Sequence, residues 1–441
     1  MFRVIALASL VALAGCHRQA DAPGDAPSNL KVDPGDGQLT VSWDQQPGLT
    51  YWIFFQPGST VTAAAPGVPL IFDAQSPRVV FPLANGTQYA FVMNATNQDS
   101  RGGPSTPVMT QTPRPAGASW TSGVPLGPQN LNGVAYGPTT NRIVAVGNSA
   151  PGTPPTPTIF AGDFNYTNAS PPGVTAWTPA TSIPNGIGDL SAVIAAGSVF
   201  IALGTDGSIL TSPDGNTWTA AASIPSGGAG GPRMNSIGFG SNALVSNAPI
   251  YVAVGDGGNI FTSADLTAWI PAAASNTTND LYNVSFPNGT FVATGANGTL
   301  LTSADASTWT PQNSNTTNAL RGTTYGTGSA AGASAHYVVV GDSGTIVTST
   351  STDLTIWSPI TPAPLSQDLR AIRFGTRFVA VGQGGAVVYS DDAIQWSLSS
   401  VPAYVPPPPA SVPPPPDLAS ITFTPAMYLA VGASGANAVS K

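Results

Sequence analysis

Glutamate is absent from this 441-residue chain, and all 21 acidic residues are aspartate. Lysine occurs only at Lys31 and Lys441. Two of the best helix formers are therefore missing or nearly so, and the Ala-rich stretches are broken by Gly, Pro, Thr and Ser. Beyond the N-terminal segment no long run carries helical periodicity, so strands and turns are expected. The single cysteine, Cys16, excludes an intramolecular disulfide. Two histidines far apart in sequence, His17 and His336, cannot form a His/Cys metal centre with it, so neither a metal nor a cofactor is expected. Charged residues make up only 8% of the chain, with a formal net charge of −8. Eleven scattered arginines do not form the clustered basic surface that a phosphate backbone needs, which argues against nucleic acid as a partner. No Gly-x-Ser-x-Gly elbow, P-loop or His-based triad is present.

What is present begins with an address. Arg3 precedes an apolar run from Val4 to Ala14, too short to span a bilayer comfortably. Leu13-Ala14-Gly15-Cys16 resembles the lipobox of bacterial lipoproteins. That resemblance implies a signal peptide over residues 1–15 and acylation of Cys16. The implied location is the cell envelope. His17, rather than Asp, follows the cysteine and points to the outer membrane of a Gram-negative cell. Several acyl chains together give a lasting anchor. Residues 16–27 are polar, small and Pro-containing, and read as a flexible tether.

Residues 28–113 carry short strands. Gln38–Trp43 alternates apolar and polar residues, Tyr51–Phe55 is more buried, Val79–Phe81 follows, and Asn85-Gly86 marks a turn before the next strand. Between Phe55 and Val79 the Pro- and Ala-rich stretch gives no register. The spacing argues for a sandwich. Pro27-Ser28-Asn29-Leu30, Trp43, Tyr89 and Gly103-Pro104-Ser105 make the segment resemble a fibronectin type III domain. Trp43 is then a core residue and Tyr89 a tyrosine-corner residue.

Residues 117–441 repeat. The pattern is aromatic, apolar run, Gly-x-x-Gly, apolar run, Thr-Ser, Asp, Trp. It occurs at Phe200–Trp218, Tyr251–Trp269, Phe291–Trp309, Tyr337–Trp357 and Phe378–Trp396. Four strand-sized pieces per repeat predict propeller blades. First strands begin at Leu131, Leu190, Met234, Leu281, Leu320, Leu369 and Leu418, which makes seven blades. Trp-bearing fourth strands after them number six, and Ala118–Ser122 around Trp120 supplies the missing one from the other end. The fold expected is all-β: an immunoglobulin-like sandwich plus a seven-bladed propeller closed by an N-terminal strand. A count of six blades plus a tail is the alternative. Ser149–Pro157 and Val405–Pro416 are expected to be exposed polyproline-like loops.

Ser212-Pro213-Asp214-Gly215-Asn216-Thr217-Trp218 resembles the Asp-box of sialidase-type propellers, and the whole region is similar to photosystem II assembly-factor propellers. Degenerate copies surround Asp265, Asp305 and Asp392. In that family the box stabilises a turn, so Ser212, Asp214, Gly215, Thr217 and Trp218 are read as structural. The sialidase machinery includes a Tyr activated by Glu, which a chain without glutamate cannot supply. A glycosidase using two Asp carboxylates is the alternative function, with Asp391-Asp392 the only adjacent pair. No catalytic residue is assigned. The first-strand starts should gather at the mouth of the central channel, bringing Asp189, Arg233, Asp280, Tyr282, Arg321, Asp368, Arg370 and Asp417 together. Either these Asp residues cap turns and the Arg residues pair with them, or they form a polar ring for a protein or glycan. The expected role is a monomeric, non-catalytic binding or assembly scaffold.

Overall fold

The computed structural model describes residues 21–97, 101–152, 155–167, 170–174, 176–225, 231–242, 248–328, 334–350, 354–407 and 411–441. Cys16 and the apolar leader lie outside the described residues. The chain divides into two compact units, one holding residues 38–113 and the other residues 114–441.

The smaller unit is an immunoglobulin-like sandwich. Strands Lys31–Gly35, Gln38–Ser42 and Arg78–Val80 form one sheet. Strands Leu70–Ala74, Leu49–Pro57, Tyr89–Asn97 and Met109–Gln111 form the other, in that order. Alternation along Leu49–Pro57 sends Tyr51 and Ile53 into the core with Leu39, Val41, Trp43 and Phe91. The Tyr89 hydroxyl accepts the Ala84 N–H at 3.1 Å, as a tyrosine corner does. Trp52 and Phe54 point to the opposite face, where Val61, Ala63 and Val68 cover them. This explains why residues 56–69 lacked a strand pattern. They are a lid on the sheet's outer face, and their burial depends on a surface that local periodicity does not encode.

The larger unit is a seven-bladed β-propeller. Blade 2 shows the plan: Leu190–Ala196, Val199–Gly204, Ile209–Ser212 and Thr219–Ala220 pair in sequence as an antiparallel meander. Blade 1 starts at Leu131–Gly137, blade 3 at Met234–Asn242 and blade 4 at Leu281–Ser285. Blade 5 starts at Leu320–Thr327, blade 6 at Leu369–Phe374 and blade 7 at Leu418–Thr424. The last blade is completed from the other end of the domain. Thr121 and Ser122 pair with Val439 and Ala438. The Gly123 N–H bonds the Asn437 carbonyl at 2.8 Å, and the Leu126 N–H bonds the Gly435 carbonyl at 2.9 Å. Closure removes an open sheet edge.

Two expectations change. Fourth strands begin one residue after each Trp, as at Thr219–Ala220 and Ile270–Pro271. Each Trp sits just before its strand, while its indole packs between blades as the Asp-box pattern implies: Trp218 clusters with Val144, Ala161 and Leu190, and its Nε1–H bonds the Gly215 carbonyl at 3.0 Å. Ser149–Pro157 is also shorter as a loop than its prolines suggested. Past a bulge at Gly147, Ser149 and Ala150 still pair with Pro157 and Thr156, because an edge position tolerates proline.

From blade 3 onward, the turn between second and third strands ends in a glycine. Gly258 holds φ +73°, and a Cβ there would lie 2.2 Å from the Thr277 carbonyl oxygen of the adjoining loop. Both the left-handed backbone and the close approach require glycine.

Candidate functional site

The Asp turns come first, since they are the most conspicuous feature of the repeat. One carboxylate oxygen of Asp214 accepts the Asn216 and Thr217 N–H groups at 2.8 Å each and the Ser212 hydroxyl at 3.0 Å. Asp305 does the same for Ser307, Thr308 and Ser303. Desolvation pushes the Asp214 carboxyl up, but these backbone and hydroxyl donors outweigh it and hold its pKa below the usual range. Gly215 has φ +74°, and a Cβ there would sit 2.6 Å from Val144 of blade 1. Leu266, Ala306, Leu354 and Ala393 occupy the matching position in other copies, also at positive φ, and all four are buried. In those blades the turn accepts a strained backbone and in exchange fills the seam. Each of these groups is committed to holding the ring.

Asp391 and Asp392 are likewise committed. Asp392 accepts the Ile394 and Gln395 N–H groups at 2.8 and 2.7 Å. Asp391 forms a two-pronged pair with Arg377 at 2.8 and 2.7 Å. Arg377 is only 7% exposed and lies 4.6 Å from the Tyr389 ring centroid. These two carboxylates therefore do not face one reacting bond as a glycosidase pair would.

The seven first strands wall a central channel. At one mouth, the residue after each aligned Leu or Met is Asn132, Ser191, Asn235, Tyr282, Arg321, Arg370 or Ala419. These positions differ from blade to blade, unlike the apolar ones behind them. Tyr282, Arg321 and Arg370 come from consecutive blades and line the same cavity. Arg321 clasps Asp342 through both prongs of its guanidinium and lies 4.9 Å from the Tyr282 ring centroid. The hydrogen bond to Asp342 raises the Arg321 pKa above its ordinary value. Arg370 reaches Asp417 at 3.2 Å. Arg233 stands at the rim and donates to the Asn235 side chain at 3.2 Å.

The mouth aspartates have a second job that sequence left open. Asp189 accepts the Ser149 N–H at 2.7 Å, Asp280 that of Gly257 at 2.8 Å, Asp368 that of Ser343 at 3.0 Å and Asp417 that of Gly384 at 2.8 Å. Asn130 does the same for Ser434 across the closing seam at 3.0 Å. In each case the acceptor is one residue before a first strand and the donor belongs to the previous blade. These side chains are clips between blades, so the groups at the mouth best placed to meet a partner are Tyr282, Arg321, Arg370 and Arg233.

The opposite mouth is aromatic. Phe239, Phe286, Tyr325, Phe374 and Phe423 each pack at a tilt against an aromatic of their own second strand, with centroids 4.4–4.9 Å apart. Between the two ends lies Arg373, a first-strand residue that the sequence reading did not single out. Its signal was available: it is the only charged residue at its position among the seven first strands.

No protein-family model matches the chain, and no curated protein is similar to it in sequence. Among solved structures it is similar to YCF48 bound to a D1 peptide, at 16% identity and a TM-score of 0.51, covering 73% of this chain and 96% of that one. It is also similar to the WD40 propeller domain of Doa1, at 10% identity and a TM-score of 0.53, covering 74% and 97%. A third is a catalytically inactive virginiamycin B lyase from Staphylococcus aureus with quinupristin, at 9% identity and a TM-score of 0.54, covering 73% and 99%. At these identities the likeness is one of fold: this chain carries a β-propeller of the kind that those proteins share.

Proposed function

We propose that the propeller is a non-catalytic binding scaffold whose partner, a protein segment, docks at the polar mouth. The observation that carries this reading is the grouping of Tyr282, Arg321 and Arg370 from three consecutive blades around one opening. Arg321 and Arg370 are held in place by Asp342 and Asp417, so both guanidinium groups stand ordered at the opening. The aromatic Tyr282 face and two guanidinium groups offer stacking and charge-assisted hydrogen bonds, a combination enriched where proteins meet. The similarly folded YCF48 was solved with a peptide bound, which is in keeping with such a role. The lipobox-like Leu13–Cys16 supports display from a lipid anchor in the cell envelope.

The test is a cross-linked pull-down from intact envelopes, comparing the native chain with an Arg321→Glu/Arg370→Glu variant of unchanged circular dichroism. Loss of the captured partner is expected. Recovery of the same partner at the same yield by the variant would remove the proposal. A Cys16→Ser chain should leave the membrane fraction, and its retention there would count against the anchor.

A further inference from the structure

The central channel has two halves. One is a cavity of about 440 Å³ toward the aromatic mouth, the other about 250 Å³ toward the polar mouth. Arg373 lines both, so it stands at the waist where they meet. Among the described residues, the charged ones lining the two cavities are Arg321, Arg370 and Arg373, and no carboxylate lines either.

These three cations differ in one respect. Arg321 and Arg370 are each paired with an aspartate, Asp342 and Asp417. Arg373 is exposed to the channel, yet among the described residues no ion pair or hydrogen bond engages its guanidinium. It is ringed by protein while touching water, and desolvation pulls its pKa down from the ordinary value. Arginine nonetheless stays charged at neutral pH.

The fold does not ask for this charge. At the same height of the other first strands stand Ala135, Ile194, Gly238, Ser285, Thr324 and Thr422. Six blades close without a cation there, so neither the first strand nor the seam behind it requires one. The Ser285 and Thr323 hydroxyls near this level also lack a partner among the described residues, but both oxygens are buried behind the wall and do not open on the channel. The donor left facing the channel without an internal acceptor is therefore the planar guanidinium fork of Arg373. A fork of that kind matches the paired oxygens of a carboxylate or a phosphate.

We propose that the channel waist binds a single oxyanion, a carboxylate or phosphate group, with Arg373 as its anchor. The anion is either a small free solute or the carboxylate end of a chain entering by the polar mouth. Only the second source rests on the mouth being a docking site.

The experiment uses the purified full chain in detergent, with no cellular partner. Titration calorimetry at constant ionic strength measures inorganic phosphate and two otherwise identical short peptides, one ending in a free carboxylate and one amidated. Arg373→Met is expected to weaken binding of the preferred oxyanion at least tenfold. Arg373→Lys, which keeps the charge without the fork, should fall between the two. Arg142→Gln, on a salt bridge to Asp163 outside the channel, is expected to bind within twofold of the native chain.

Tighter binding of phosphate than of either peptide identifies a free anion. At least tenfold preference for the free-carboxylate peptide over both other probes identifies a chain end. Because no partner is used, failure here leaves the pull-down result standing, and the converse also holds. The proposal is overturned if neither phosphate nor the free-carboxylate peptide binds, or if Arg373→Met binds them as the native chain does. Should Arg373→Met fail to fold, Arg373→Lys alone decides: unchanged affinity overturns the proposal.

Discussion

Ring closure by the segment around Trp120 yields the sharpest stability prediction. Trp120 is 8% exposed and packs on Val379, Val381, Leu418 and Tyr428, in the seam between blades 6 and 7. Its Nε1–H bonds the Gly117 carbonyl at 2.9 Å. Replacing a buried Trp by Ala costs about 3–5 kcal/mol, and the lost hydrogen bond adds about 1 kcal/mol. For a domain of roughly 330 residues the unfolding entropy is about 0.7 kcal/mol per degree, so Trp120→Ala should lower the propeller's melting temperature by about 6–9 °C. Removing residues 117–123 should lower it further, because the Thr121–Ser122 pairing and the Gly123 bond go as well. Differential scanning calorimetry reads both. Trp52→Ala, in the sandwich, serves as a control that should leave the propeller transition in place. Conversely, Ser122→Cys with Ala438→Cys places two thiols on facing residues of the closing pair, and their oxidation should stabilise the ring by up to about 5 kcal/mol. A deletion variant melting within 1 °C of the native chain would refute the closure reasoning.

Two further outcomes follow from the buried charge and from the turns. Asp391→Ala leaves the 7%-exposed Arg377 without its counter-ion and should cost about 3 kcal/mol. Adding Arg377→Met should restore part of that loss in chemical denaturation; no recovery would show that the pair is not the source. The carboxyls of Asp214, Asp305 and Asp392 are held below the usual range, since donor bonds outweigh desolvation. A depressed carboxylate contributes stability above its unfolded pKa and loses it as pH falls through the folded value. Denaturant midpoints should therefore fall with acidification below about pH 4. A triple Asn variant should be less stable at pH 7, by about 1 kcal/mol per site, and should show a flatter acid limb. An acid limb as steep as that of the native chain would contradict this.

How much of this was legible beforehand differs from element to element. The blade count came from the aligned first strands, since period-2 alternation and Gly turns are local and recur in every copy. The Asp turn was likewise readable, because Ser212, Asp214 and the N–H groups that Asp214 holds lie within six residues. The lid over residues 56–69 was not readable, because Val61 and Val68 are buried by a sheet face formed elsewhere. The hairpin past Gly147 was misjudged, because composition marked its prolines but not the edge position that accommodates them.

The sequence by itself determined the repeat, its seven first strands and the segment whose pattern matches the missing fourth strand, because each of these patterns is local along the chain. Only the tertiary structure decided which polar residues are already spent. Asp189 lies 40 residues from the N–H that it holds, and Arg370 lies 47 from Asp417. Both pairings depend on how adjacent sheets are turned around the axis, which no strand pattern records. The same rotation leaves Arg373 facing the channel without a partner. The alignment of first strands marks Arg373 as the odd residue at its position, but that it has no partner is a property of the closed ring.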